Sequence, residues 1–465
     1  MMETPVSNDR QSVKSASPFQ DSEADERFSA VLSEINLAQL PSLARSIRIR
    51  NDDLLYDDEE PMIDNPIFGS CHVLFPIRFN DGVSLIAKFP HNGTKAKWDR
   101  LSAMALFTEV NTMRLLKQET TIPLPKVFQF SSKPKNCLRC PYIIMENVTG
   151  RSLYDVWFGH RLGNASWEAV MQHREKALSG IATAMAQLDK FSFDQGGSLI
   201  FEAPAEPCGV GPVRSLDYKA MLDRWVVHED PSDDPIYVMD DVAYGTKSFY
   251  LRPLARDSED QPFPRGLWVL LHLLINEIEE PTSDKPFVLT HPDFDIHNFI
   301  VADDGQLLSI IDWNGVATVP RSVGNLRYPS WLTRDWNPAM YTWDESMESG
   351  VEPQGIWEDS PDELARCRTL YRDIMSWVQE DDFDEILTHM SLITENLAIA
   401  AYDPRSRNNI LRKIVYHMSE NQWMYNRNID FTQLVNDLGE NKLLTKGEHN
   451  KLQNGFRHLL LLDNL

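Results

Sequence analysis

Phe287-Val-Leu-Thr-His291-Pro-Asp293-Phe-Asp-Ile-His297-Asn298-Phe-Ile-Val301, then Asp303-Asp304-Gly305, Leu307–Ile311 and Asp312-Trp313, is the stretch on which the reading of this chain turns. Its apolar opening, polar middle and two apolar runs around an Asp-Gly turn spell strand, loop and hairpin. Asp293, Asn298 and Asp312 place three oxygen-bearing side chains in that frame, with His291 beside the first. Carboxylate and amide oxygens suit a hard cation such as Mg²⁺. A carboxylate in the loop also suits an acceptor hydroxyl, which it would orient or deprotonate. Phosphoryl transfer requires that combination and little covalent work from the protein. An ordinary polar loop, with His291 and Asp293 capping backbone groups, would use the same residues, so the flanking sequence has to separate the two readings.

Upstream, His72–Phe79 and Val83–Phe89 are two β-like runs joined by Asn80-Asp81-Gly82, a strong hairpin signal. Lys88 interrupts the second, otherwise apolar run, Ser84-Leu-Ile-Ala-Lys88-Phe, where it can meet phosphates. From Trp98 to Lys117, Leu106, Val110, Met113 and Leu116 mark one face of a helix that Pro123 and Pro125 close off. Glu109 falls on that face, where a carboxylate needs a partner, and Lys88 is the simplest one. Val127–Phe130 and Tyr142–Met145 read as two further strands, the second leading into Glu146-Asn147-Val148-Thr149-Gly150.

Taken in order, these features resemble the aminoglycoside phosphotransferase and choline kinase group of small-molecule kinases, in particular its fungal branch, over roughly residues 60–340. The Asp-x-x-x-x-Asn spacing of Asp293 and Asn298 matches the kinase catalytic loop, and Asp312 stands where kinases carry a metal-binding Asp. Gly197-Ser-Leu and the segment from Gly324 to Trp336 also look like the fungal branch. The resemblance implies an α/β (α+β), two-lobed, protein-kinase-like fold with a small β-rich N-lobe and a large, mostly helical C-lobe. It implies ATP or GTP as donor, with the base on the backbone around Met145, Glu146 and Asn147, Lys88 and Glu109 at the phosphates, and Mg²⁺ on Asn298 and Asp312. Asp293 and His291 become the catalytic candidates.

Departures bear on the acceptor. There is no Gly-rich loop of protein-kinase type, and only Phe68-Gly-Ser70-Cys-His72 stands where backbone amides should cover phosphates. His291-Pro-Asp293 replaces His-Arg-Asp, Asp312-Trp-Asn replaces Asp-Phe-Gly, and no Ala-Pro-Glu follows to close a peptide platform. The acceptor is therefore expected to be a small hydroxylated metabolite, with an amine or amino alcohol among the candidates. A protein kinase and a nucleotide-binding pseudokinase acting as an interaction module are the rival readings. The segment around Trp331, Asp335 and Trp336 would wall the acceptor pocket, unless these tryptophans are simply core.

Lys+Arg 45 against Asp+Glu 69 gives a formal charge of -24, which makes nucleic acid and anionic membranes poor partners. Five cysteines, with no signal-like opening, read as a reduced, cytoplasmic protein; no protein partner is inferred. The lone Cys137-Leu-Arg-Cys140 lacks a second ligand pair at zinc spacing. Residues 1–26 are expected to be a disordered tail, 27–146 a nucleotide-binding N-lobe with a leading helix, and 147–465 a helical C-lobe holding the catalytic loop and acceptor site. Within the last, Trp167–Phe191 and Leu267–Ile278 read as helices. The Pro- and Asp-rich stretch 204–262 reads as loops and insertions, and Cys367, Leu370, Ile374 and Val378 read as a helical stripe.

Overall fold

The computed structural model describes residues 27–50, 60–230, 232, 234–256, 261–281, 283–379, 382–420 and 430–461. The expected tail, 1–26, lies outside them. Two compact units emerge: described residues up to Ala103 together with Val127–Asn147, and Met104–Lys126 together with Val148 onward. The first is β-rich and the second mostly helical, so the mixed α/β class expected from the sequence is the one found.

A six-stranded antiparallel sheet makes up most of the first unit. Its order is Met62–Ile63, His72–Arg78, Ser84–Pro90, Tyr142–Glu146, Val127–Ser131, with Ile67–Phe68 also pairing to His72–Arg78. The Asn80-Asp81-Gly82 turn forms as its residue types demand, with Gly82 at φ +88°, a left-handed conformation that glycine adopts without strain. Arg48 fixes the turn from outside through a 2.5 Å ion pair with Asp81.

Alternation along Ser84–Pro90 separates two faces. Leu85, Ala87 and Phe89 join Val73, Phe75 and Ile144 in a core covered by Phe28 and Val31 of a helix over 27–34 and by Leu40, Ala44 and Ile47 of the helix Leu40–Arg50. With a side-chain period of two, Lys88 points to the opposite face, between Leu74 and Ile143 in the ladder.

The helix Arg100–Glu119, which belongs to the second unit from Met104 on, ends before Pro123, and Lys117 Nζ donates to the Leu124 carbonyl at 2.8 Å. Two small antiparallel sheets follow. Phe287–Thr290 lies between Ala317–Pro320 and Ser192–Phe193, and Phe299–Val301 lies between Leu307–Ile310 and Arg151–Ser152. Gly150 leads into the second sheet where a Cβ would sit 2.5 Å from Ile300 Cγ2, so only glycine fits. The remaining mass is helical, with Pro361–Val378 packed on Trp167–Ala186 and Pro404–Glu420 on Asp382–Tyr402.

Three expectations need correction. The helix from Trp167 stops at Ala186, continues as a 3₁₀ turn over Gln187–Lys190, and gives way to the strand Ser192–Phe193. The stretch 204–262 is not mainly loops: it contains the strands Glu206–Gly211, Val213–Leu216 and Tyr237–Asp240 and the helices Tyr218–Val226 and Thr246–Leu254. Prolines and aspartates there sit at strand ends and caps, as Asp217 does in accepting from the Ala220 amide. On Pro361–Val378 the buried face is Leu364, Cys367, Arg368, Tyr371 and Met375 rather than the stripe through Leu370 and Ile374. The face is shifted because Arg368 is buried against Asp335, a long-range ion pair that periodicity of apolar residues cannot register.

Candidate active site

His291 terminates the buried strand Phe287–Thr290 and is itself fully buried. Its Nε2 lies 2.9 Å from the Ile311 carbonyl, and a carbonyl only accepts, so Nε2 carries the proton. Burial, foremost, pushes the imidazole down to about 4, which makes it a neutral donor. Trp313 closes over it, ring to ring at 4.6 Å. The geometry therefore makes His291 a positioning residue, which ties the start of the loop to the residue before Asp312.

Asp293 follows at the loop's open side. The Asn298 side-chain amide donates to the Asp293 carbonyl at 2.8 Å and to its Oδ2 at 2.9 Å. Both partners are acceptors, so the nitrogen faces Asp293 and Oδ1 of Asn298 is left as an oxygen ligand. Asp293 is exposed to water by surface area yet crowded by protein atoms. Partial desolvation, the largest cause, together with the nearby Asp295 and Asp312, raises its carboxyl above the usual range, against the Asn298 hydrogen bond. Solvent reaching the carboxylate screens these effects in part.

Asp312 has φ +61°, in the left-handed region where non-glycine residues are uncommon and Asp is among the better tolerated. Bonds on either side hold it there. The Ile311 amide donates to the Asn298 carbonyl at 2.9 Å, and Trp313 Nε1 donates to the Ile310 carbonyl at 3.1 Å. The sequence-predicted quartet His291, Asp293, Asn298 and Asp312 thus forms one bonded framework.

Two supports escaped the sequence reading. Arg327 is buried and donates to the His291 carbonyl at 3.0 Å and to Thr290 Oγ1 at 3.1 Å, while its Nε pairs with Glu395 at 3.1 Å. Ser330 donates from its amide to the Phe294 carbonyl at 3.0 Å. The tryptophans after it are core: Trp331 packs on Trp157, Phe294 and Phe299, and Trp336 stacks on His417. Asp335 is bound to Arg368 at 2.7 Å. The expected acceptor wall of Trp331, Asp335 and Trp336 is therefore a buried brace behind the loop.

The candidates of the first unit stand on its sheet. Lys88 is buried in the central strand. Ser70 is exposed in the turn between Ile67–Phe68 and His72–Arg78, which the Gly69 amide closes by donating to the His72 carbonyl at 2.9 Å. Met145 and Glu146 pair with Ile86 and Leu85, and Asn147 donates from its amide to the Ser84 carbonyl at 3.2 Å. On the other side the ladder with Val127–Ser131 stops at Met145. Glu109, in the second unit, is buried on its helix as the stripe requires.

A family model described as the phosphotransferase enzyme family matches residues 80–321, which spans Lys88, Glu109 and the whole loop framework. The chain belongs to the phosphotransferase enzyme family. This phosphotransferase is 22% identical over 363 residues to a subtelomeric hrmA-associated cluster protein of Aspergillus fumigatus; the match covers 65% of this chain and 66% of that protein's length. It is 28% identical over 178 residues to the mitochondrial protein altered inheritance of mitochondria 9 of Candida dubliniensis, covering 37% of this chain and 28% of that protein. Among solved structures, Plasmodium vivax ethanolamine kinase aligns over 95% of this chain and 98% of its own, at 12% identity and a TM-score of 0.39.

Proposed function

We propose that this phosphotransferase moves the γ-phosphoryl group of ATP, or of GTP, to a hydroxyl of a small molecule in the cytoplasm. The observation that carries the reading is the bonded pair Asp293–Asn298: an accessible carboxylate held by an amide whose other oxygen stays available. The acceptor O–H loses its proton to Asp293 Oδ as its oxygen bonds to the γ-phosphorus, and the bond from that phosphorus to the bridging oxygen breaks to leave the diphosphate. The raised basicity of Asp293 serves that proton transfer. His291 keeps the loop in register and does not itself touch the acceptor. Lys88 would take the α- and β-phosphates, with Glu109 as its partner, and the turn at Ser70 would cover them. The backbone from Met145 to Asn147, past the end of the Val127–Ser131 ladder, would take the base.

The donor set fits Mg²⁺, since Asn298 and Asp312 offer one neutral and one charged oxygen, the ligand type a hard cation takes. Such an ion, when bound, supplies positive charge to the phosphate oxygens. The five cysteines are free, with Cys140 and Cys367 buried. Among the described residues no helix is long and apolar enough to cross a membrane. The test is a metabolite extract incubated with enzyme and γ-labelled ATP beside casein and myelin basic protein. Label in small molecules is expected, and label confined to protein would sink the reading.

A further inference from the structure

Asp295 and His297 lie between Asp293 and Asn298, and both are gripped from one distant segment. Asp295 is the N-cap of the 3₁₀ turn Ile296–Asn298: its carboxylate accepts from the His297 amide at 3.3 Å and its carbonyl from the Asn298 amide at 3.0 Å. The same carboxylate accepts from Ser330 Oγ at 3.3 Å and stands 3.7 Å from the Arg334 guanidinium. Arg334 in turn donates to Glu358 at 2.7 Å. His297 is exposed, and its ring stacks on Tyr154 with centroids 4.9 Å apart and planes at 25°. The Tyr154 hydroxyl accepts from the Trp357 amide at 2.8 Å. Two consecutive residues, Trp357 and Glu358, thus reach two points of the turn, one through a ring and one through a cation.

The residue after them shows what the grip is moored to. Asp359 accepts from Trp157 Nε1 at 2.6 Å and pairs with Arg174 at 2.9 Å, while Arg174, fully buried, also holds Glu363 at 2.8 Å. The Glu358 side chain is only 5% exposed, so its charge depends on the Arg334 cation. Asp295 and Glu358 share that one guanidinium, and without it the two like charges would repel. A displaced Asp295 carboxylate would release the turn that aims the Asn298 side chain at Asp293.

We infer that Arg334 and Tyr154 are positioning residues for phosphoryl transfer, clasping the turn Ile296–Asn298 to Trp357 and Glu358 so that the Asn298 amide stays on Asp293. Each acts through another residue, Arg334 through Asp295 and Tyr154 through His297. This rests on the phosphotransferase reading above and adds to its machinery residues that lie outside the loop.

The test uses the full chain, γ-labelled ATP with the metabolite extract, and amide exchange read by mass spectrometry on the peptide spanning 294–301. Arg334→Met should lower turnover at least about 10-fold, because small misplacements of reacting groups are costly, while the KM for ATP stays within about 2-fold. Exchange in the peptide should quicken about 10-fold. Unchanged turnover, or a KM for ATP that rises in step with the loss, overturns the positioning role. Arg334→Lys keeps the charge and loses the planar fork, so it should recover part of the turnover; a loss equal to that of Arg334→Met overturns the ion-pair link. Tyr154→Phe keeps the stack on His297 and Tyr154→Leu does not, so the leucine variant should exchange faster in the peptide. Equal exchange in the two removes the ring from the clasp. Glu348→Gln breaks the 2.8 Å pair with Arg161 elsewhere in the same segment and should leave turnover within about 2-fold. A fall as large as that of Arg334→Met would mean that general loosening is at work, and the inference fails. If Arg334→Met does not fold, Arg334→Lys and Tyr154→Leu decide on the same readouts. A wild-type chain that transfers no label would fault the phosphotransferase reading, and the exchange of the variants would still show whether Arg334 and Tyr154 hold the turn.

Discussion

Around Asp293 every neighbouring segment is tied to another: Asn298 to Asp293, His291 to Ile311, Arg327 to His291 and Thr290, Ser330 to Phe294. Helix Tyr218–Val226 is tied by an N-cap from Asp217, a surface pair, a cation over one ring and bonds from the Arg224 guanidinium to the Asp234 and Ser232 carbonyls. His291, Asn298, Thr290 and Arg327 are buried, and no residue of the helix is fully so. Reacting atoms tolerate little misplacement, whereas a surface element can open locally while the core stays folded.

Arg327→Met would break this contrast most severely. It leaves Glu395 buried without its cation and the His291 carbonyl without its donor, and a loss of about 3–5 kcal/mol in unfolding free energy is expected from urea titration. A midpoint unchanged from wild type would show that the loop does not depend on that clamp. Asp293→Asn tests the loop's chemistry with its framework intact. Turnover should fall about 10²-fold or more while calorimetry finds nucleotide affinity nearly unaltered, and near wild-type turnover would remove Asp293 as the base.

Asp312→Ala should weaken magnesium-dependent nucleotide binding by about 10-fold, the scale of a lost charged ligand, and Asn298→Ala by less. If wild-type affinity is the same with and without Mg²⁺, the metal role of both residues fails. On the helix side, Asp217→Ala removes the cap of Tyr218–Val226 and should cost only about 1 kcal/mol of helix stability, read as faster amide exchange confined to 218–226. Protection lost across the whole chain would mean that this helix is not the local element its packing describes.

The loop was legible in the sequence because its information is local. A run of buried apolar residues, a polar turn and an Asp-Gly hairpin fix the positions of Asp293, Asn298 and Asp312 within a short span of chain. Lys88 was legible for a similar reason, since alternation along one strand says which face it takes. Arg327, Ser330 and Glu395 were not, because each acts through a partner far along the chain and an arginine or serine carries no sign of whom it will meet. The acceptor wall was misplaced for the same cause: Trp331 and Trp336 look like exposed recognition residues until His417, Trp157 and Phe299 are seen against them. The helix Tyr218–Val226 was hidden by composition, because prolines and aspartates around it suggested loops.

The dependence of the loop on Arg327, and of Arg327 on Glu395, also sets an order of events on the ribosome. Chains emerge from their N-termini, so the whole motif from His291 to Asp312 leaves the exit tunnel before the helix Asp382–Tyr402 that supplies Glu395 has been made. Until then Arg327 lacks the carboxylate that holds its guanidinium against the His291 carbonyl. A nascent or prematurely terminated chain that stops short of residue 395 would carry every residue of the motif and lack the anchor for its backbone.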